Sequence, residues 1–335
     1  MTQWYIQDNA AGGMEPLCDL RASFEQRTGG LTTLERLVIK MGSKPSGFLC
    51  EDSLRGEMIA QRTGLKHVSG EIATPVDHPE IETPWDVLTH LGTLLALDLE
   101  QAKPLESAHA ATSFGDCRVD IHSSATICPN VTLDASNGAI RIEDGATIRP
   151  GAVLCGPCWI GKNVTVTDNA LIKANTSIGP WCKVGGEVGG TIFQGYSNKS
   201  HGGHLGDSII GEWVNFGAGT TNSNLLNTYT DVIVKGLDGK RHRTNSKFVG
   251  CFVGDHVKFA ISTRIMTGTI VGTGSMVASS TPAPIPTKRF SWIVDDGMKS
   301  YNIDKFIAVA KTVMTRRDLS LHSTTEAVLR QLASA

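Results

Sequence analysis

The sequence predicts a mainly β protein whose centre is a parallel β-helix of six-residue repeats, set between a small N-terminal α/β domain and C-terminal helices. Three observations predict it. An aliphatic residue returns every sixth position, at Ile142, Ile148, Leu154, Ile160, Val166, Ile172, Ile178 and Val184. Two places before each stands a mostly small or slim side chain: Ile140, Ala146, Ala152, Cys158, Val164, Ala170, Thr176 and Cys182. The chain also holds 36 glycines but only 6% aromatics, which suits tight turns between thin layers. A period of six would scatter around a helix of 3.6 residues per turn, and a flat strand needs no punctuation every six residues. One short strand plus one turn per repeat satisfies both facts. Three repeats close a triangular coil, and coils stack about 4.8 Å apart through parallel ladders.

In chain order, residues 1–105 read as the α/β domain. Trp4-Tyr5-Ile6 and Phe48-Leu49-Cys50 are strand-like, and helical stretches lie near 31–40 and 53–63. A third helix is expected from Thr83, which can cap it, with Pro84 at its first position and Asp86 in its first turn. The repeats cover about residues 115–280, opening on Ile121, Ile127 and Leu133, with a small corner insertion at Ser136–Gly138. Excursions are expected near 189–204 and 225–248; the frame resumes at Ile210 and Phe216, then at Val253, Phe259, Ile265, Val271 and Val277. Residues 282–335 form the helical extension. After Pro282, Pro284 and Pro286 comes a helix with Ile303, Phe306, Ile307, Ala310, Val313 and Met314 on one face. Arg316 and Arg317 suit its C-terminal dipole, and Ser323-Thr-Thr-Glu326 reads as the capping box of a last helix. These helices are expected to close the solenoid or to pack on a neighbouring subunit.

Charge is nearly balanced at −2, so the chain carries no electrostatic footprint for nucleic acid or an anionic membrane. No apolar run approaches the roughly 20 residues of a membrane span, and no basic-then-apolar leader opens the sequence. Eight scattered cysteines fit a reducing compartment, so a cytoplasmic location is expected.

Chemistry concentrates in Tyr196-Ser-Asn-Lys-Ser-His201-Gly-Gly-His204-Leu-Gly-Asp207 and the turns after it, Asn215-Phe-Gly217-Ala218-Gly219-Thr220-Thr-Asn222-Ser-Asn224. Acyl transfer to an amine or hydroxyl needs a base, N–H donors for the carbonyl oxyanion and polar clamps for the acceptor. His201 or His204 could be the base, because imidazole titrates near neutrality. Asn215, Asn222 and Asn224 suit sugar hydroxyls, and Gly217–Gly219 leaves backbone N–H groups open to a thioester. The alternative is that these residues only shape a surface loop.

The six-residue pattern resembles that of the hexapeptide-repeat acyltransferases, which implies a left-handed parallel β-helix. His201-Gly-Gly-His-Leu-Gly-Asp207 with Asn215-Phe-Gly-Ala-Gly-Thr220 resembles the acetyltransferase half of the bifunctional enzyme family that makes UDP-N-acetylglucosamine. Further shared features are Gly195–Lys199, Gly211–Trp213, Asn222–Leu225, Phe290–Trp292 and Val313–Arg317. They extend the resemblance to an alternative, nucleotidyltransferase-like form of that diphosphorylase and N-acetyltransferase family. The resemblance implies His201 as catalytic base, His204 at a substrate-contacting position, and Asn215 and Asn224 at the sugar. It also implies Gly217, Ala218 and Ser279 at acetyl-CoA, and Lys173 at the sugar phosphate in place of an arginine, which keeps the charge but loses the bidentate fork. A homotrimer with its site between subunits follows as an expectation. Two further basic residues of the family are replaced, one by Gly189-Gly190 and one by Thr230; Lys199 is taken to compensate at the substrate. At the N-terminus, Pro16-Leu17, Arg21, Arg27, Gly29, Leu31, Thr32 and Glu35 resemble the family's nucleotidyltransferase pattern. No Gly-x-Gly-Thr-Arg run is present, which argues against nucleotidyl transfer; only that activity would call for Mg²⁺. The competing class is a non-catalytic scaffold that binds a nucleotide sugar.

Two motifs read as decoys. Cys155-Gly-Pro-Cys158 copies a redox motif, but its repeat frame supplies no helix N-terminus to lower a thiol pKa. His201-Gly-Gly-His204 lacks a third histidine from another coil, so no metal is expected. Lys240, Arg241, Arg243 and Lys247 around Asp238-Gly239 read as a solvated basic hairpin.

Overall fold

The computed structural model describes residues 3–9, 13–70, 81–105 and 112–335. Its short strands fall in turn on three faces. The first face holds six strands, from Thr112–Phe114 to His204–Gly206; the second holds eight, from Val119–Ile121 to Thr269–Val271. The third runs from Thr126–Ile127 through Met276–Ala278 to Ser291–Val294, and ends in the antiparallel strand Gly297–Ser300. Each strand pairs in parallel with the strand one coil away: Leu154 stands opposite Leu133 below and Ile172 above. This is the parallel β-helix that the repeats predicted, left-handed as the resemblance implied. Both sequence columns point inward, and from Ile140 to Val184 every member is at most 1% exposed.

The stretch 189–204 is not an excursion. Strands Glu187–Gly189, Ile192–Gly195, Asn198–Lys199 and His204–Gly206 continue the three faces without a break. The period was lost because the coil shortens: Val188 follows Val184 after four residues instead of six, and Phe193 follows after five. The stretch 225–248 does leave the helix. It forms the antiparallel hairpin Ile233–Lys235 with Arg241–Arg243, whose Val232 and Val234 pack toward the second face.

At the N-terminus β1 (Tyr5–Gln7), β2 (Gly47–Leu49) and β3 (His67–Val68) make a parallel sheet, joined by α1 (Thr33–Met41) and α2 (Ser53–Thr63). α3 (Pro84–Gln101) starts where expected, with the Asp86 carboxylate accepting from the Thr83 N–H at 2.8 Å and the Thr83 hydroxyl at 2.7 Å. Its Val87, Leu91, Leu95 and Leu99 cover the second face, against Trp159, Ile192, Ile209, Phe252 and Ile270. The sequence boundary near 105 adjoins 106–111, which lie outside the described residues.

α4 (Ile303–Thr315) and α5 (Ser323–Ser334) share one core with the N-terminal layer, including Trp4, Ile6, Phe48, Met58 and Ile59. The expected capping box of α5 does not form. His322 is the N-cap, and Glu326 instead accepts from Lys311 at 2.7 Å and pairs with Arg330 at 2.9 Å. Among the described residues no helix is long and apolar enough to cross a membrane.

Candidate active site

The corner between the third and first faces holds His201, Gly217 and Ala218. His201 lies on it, exposed, between strands Asn198–Lys199 and His204–Gly206. One coil on, Gly217 and Ala218 occupy the same corner, with the Gly219 N–H donating to the Gly202 carbonyl at 3.2 Å. The next coil continues the column, the Ser262 N–H donating to the Ala218 carbonyl at 2.7 Å. Ser279 follows the strand Met276–Ala278 one coil further. Gly217 must be glycine, since a Cβ there would lie 2.5 Å from the Ala260–Ile261 backbone. That tight stacking leaves Ala218 exposed at the corner.

Around this corner the two adjoining faces carry the polar residues. On the third face Asn198 and Asn215 stand side by side in register, pointing outward. On the first face His204 is in register with Glu187, and Glu187 reaches the Lys173 ammonium at 3.3 Å. Lys173, Gly189 and Gly206 form one line across three coils, and Asn224 lies against Gly206. The Asn224 amide donates to Asp207 at 2.6 Å. Burial pushes the Asp207 carboxyl up, against the pull of that hydrogen bond. Asp207 also lines a cavity of about 360 Å³ with Asn175 and Gly190, walled by Leu88 and Leu91 of α3 and by Phe248. His204 and Asn215 thus flank the edge that bears His201, Gly217 and Ala218, whereas Lys173 and Asn224 lie at the far end of the first face, from which Lys173 reaches back to Glu187.

Two sequence readings are corrected. Lys199, taken as a substrate contact, is 1% exposed and takes an inward position, in register with Val184. Its ammonium donates to the carbonyls of Gly185 at 3.0 Å, His201 at 3.1 Å and Gly203 at 2.7 Å, so no proton is left for a ligand. Asn222 also points inward. Its amide exchanges both bonds with the Gly206 backbone, each at 2.9 Å. Ser279 is bonded to Thr281 at 2.7 Å and Asp295 at 3.2 Å.

Sequence reasoning missed Glu187 and Asp207, the carboxylate partners of Lys173 and Asn224. It also gave Arg317 only a helix-end role. Arg317 leans over the third face, its guanidinium 3.3 Å from the Asn198 side chain beside Asn215. The position of Glu187 in the repeat was the available signal, since it flanks inward Val188 on the face that bears Lys173; Asp207 sits at the corner beyond that face. The Cys155 and Cys158 thiols are both pushed up by burial, opposite to what redox exchange needs.

No protein-family model matches the chain. Among curated proteins, the bifunctional sugar-1-phosphate nucleotidylyltransferase/acetyltransferase of Sulfurisphaera tokodaii is 34% identical over 137 residues, covering 40% of this chain and 34% of that protein. The bifunctional protein GlmU of Methanococcus aeolicus is 33% identical over 153 residues, covering 45% of this chain and 36% of that protein. Over those stretches the chain is similar to both proteins. The chain spans about a third of the length of those two relatives. Among solved structures, a hexapeptide transferase family protein from Anaplasma phagocytophilum aligns at 14% identity with a TM-score of 0.29, over 64% of this chain and 92% of that one.

Proposed function

We propose that this protein is an acetyl-CoA-dependent acyltransferase that acetylates a sugar phosphate of the glucosamine-1-phosphate kind. It would act in the cytoplasm as a homotrimer, supplying nucleotide-sugar or cell-envelope precursors. The observation that carries the reading is an exposed imidazole beside a bare backbone corner, with the Asn215 amide on one adjoining face and His204 on the other. In the reaction, the acceptor amine attacks the thioester carbonyl while His201 takes its proton. The C–S bond breaks, an amide forms, and the proton passes to the departing thiolate. Asn215, His204 and Asn224 hold the sugar and Lys173 its phosphate; Gly217, Ala218 and Ser279 face the cofactor, with backbone N–H groups near Ala218 meeting the oxyanion. Residues 1–105 are read as a degenerate nucleotidyltransferase-like layer joined to an acyltransferase domain at 115–280, with 282–335 as its helical extension.

The test is release of free thiol from acetyl-CoA in the presence of a panel of amino-sugar phosphates. A positioned general base contributes roughly 10²–10⁴-fold, so His201→Ala should cut turnover at least about 100-fold. His201 is exposed, so the variant should keep the wild-type melting profile. Turnover that survives in the variant removes His201 from this role. A second reading, a non-catalytic scaffold that binds a nucleotide sugar, is favoured by one observation: Lys173 is paired with Glu187 and Lys199 is turned inward, which leaves the phosphate side poor in free cations. Binding of the sugar phosphate without thiol release by the folded wild type would select it.

A further inference from the structure

The inward column of the third face is aliphatic or aromatic on every coil but one. Ile127, Ile148, Val166, Val184, Phe216, Phe259 and Val277 fill it, and Lys199 stands between Val184 and Phe216. An ammonium inside such a core is costly unless every donor is used. Here all three are, and the coil below explains why the space exists. Its corner is two residues shorter than the regular one, running only Val184-Gly185-Gly186-Glu187-Val188. Its small inward position is Gly186, where Ala152 and Ala170 stand in lower coils. A Cβ on Gly186 would come 3.0 Å from the Lys199 ammonium, so the cation lies over that gap.

Two of the three carbonyls belong to the segment that bears His201. That segment is weak by itself: His201-Gly202-Gly203 contains two glycines, and Gly203 has φ +121° with its Cα pressed on the Thr220 carbonyl, where a Cβ would lie at 2.1 Å. The Lys199 ammonium ties the His201 carbonyl to the Gly203 carbonyl and both to Gly185 of the coil below. We propose that Lys199 is a positioning residue for the acyl transfer: its buried ammonium sets the backbone at His201–Gly203 and so aims the His201 imidazole at the acceptor. This rests on the reading of His201 as base. Burial pushes the Lys199 pKa down to about 8, which still leaves it mostly protonated at neutral pH.

The test compares full-length wild type with Lys199→Met, Lys199→Gln and His201→Ala in the thiol-release assay. Activity is expressed per folded molecule, and amide exchange is followed over residues 200–206. Met matches the apolar column but donates nothing; Gln can donate to at most two carbonyls. The expected result is a graded fall in kcat, at least tenfold for Met and intermediate for Gln. The KM for acetyl-CoA should stay within about twofold, and exchange at 200–206 should quicken with the melting temperature held. A purely structural lysine would lower the folded fraction and leave kcat per folded molecule unchanged; that result, or failure of both variants to fold, overturns the proposal. If His201→Ala is inactive while Lys199→Met turns over like wild type, only the positioning role falls. If His201→Ala remains active, or the wild type releases no thiol, the reading of His201 as base falls and the positioning role goes with it.

Discussion

His256 shows how much a single buried group can set. Its ring stacks over Trp213 at 6.1 Å and meets Phe306 edge-on at 5.8 Å, and its buried Nδ1 has no hydrogen-bond partner among the described residues. Burial holds its pKa down from 6.5 to about 3, with Lys258 adding to the effect. Between those values the unfolded chain takes up a proton that the folded one refuses, so acid costs stability over that window, at about 1.4 kcal/mol per pH unit for one proton. His256→Asn removes the titration and suits the backbone φ of +60°. Urea unfolding from pH 7 to 3 should show a flatter acid limb in the variant; an unchanged slope would mean that His256 is not the group responsible. None of this could be read from the sequence, where His256 is one of ten histidines. His201 was legible because a motif surrounds it. Lys199 was misread because its lysine chemistry suggests an exposed role, and only its register with Val184 shows that it points inward.

At the scale of elements, the N-terminal layer is clasped to the β-helix by buried charge. Arg21, 1% exposed, donates to Asp255 at 2.6 Å and to the Leu17 carbonyl at 2.5 Å. Arg62 binds Glu212 at 3.1 Å, and Arg289 binds Asp19 at 2.7 Å. Burial alone would raise the Glu212 carboxyl, but Arg62 and Arg21 outweigh it and hold the pKa at about 2. The residues of the N-terminal nucleotidyltransferase-like pattern are engaged in this packing. Arg21 forms the pair above, Arg27 exchanges backbone bonds with Gln194 at 2.8 and 3.0 Å, and a Cβ on Gly29 would lie 2.5 Å from the Asp98 carboxylate. Removing one partner of a buried ion pair typically costs about 3–5 kcal/mol, so Arg21→Met should lose about that much in urea unfolding. A change under about 1 kcal/mol would show that the pair contributes little. The sequence located α1 and α2 as helical stretches and α3 from its cap at Thr83, because those signals are local. It placed the start of α5 at Ser323 but gave it a capping box that does not form, because Glu326 is drawn away by Lys311 and Arg330.

At the scale of the molecule, cover is uneven. α3 and the 233–243 hairpin bury the second face, and the terminal helices pack on the N-terminal layer and the last strands. The first face keeps Val153, Leu171, Glu187, His204, Thr221 and Arg264 partly or fully exposed, and Ile261 at the adjoining corner is 74% exposed. An uncovered face on which Val153, Leu171 and Ile261 stand among polar side chains leaves room for the second copy that the proposed trimer requires. Sedimentation equilibrium is expected to give three times the chain mass of 35.8 kDa; a single chain mass would withdraw the trimer.

The sequence by itself determined the coil. An inward position must be apolar whatever lies above it, so the period of six is written in each repeat and survives without knowledge of neighbours. It also marked the chemically dense corner, because His201, Asn215 and Ala218 fall within little more than one turn of the helix. Only the tertiary structure decided which polar residues face solvent there. Beside the two carbonyls of its own segment Lys199 meets Gly185, Asn222 meets Gly206 and Lys173 meets Glu187, each a partner supplied by a neighbouring coil. Those partners lie many residues away in sequence, and two shortened corners shifted the frame by which they could have been counted.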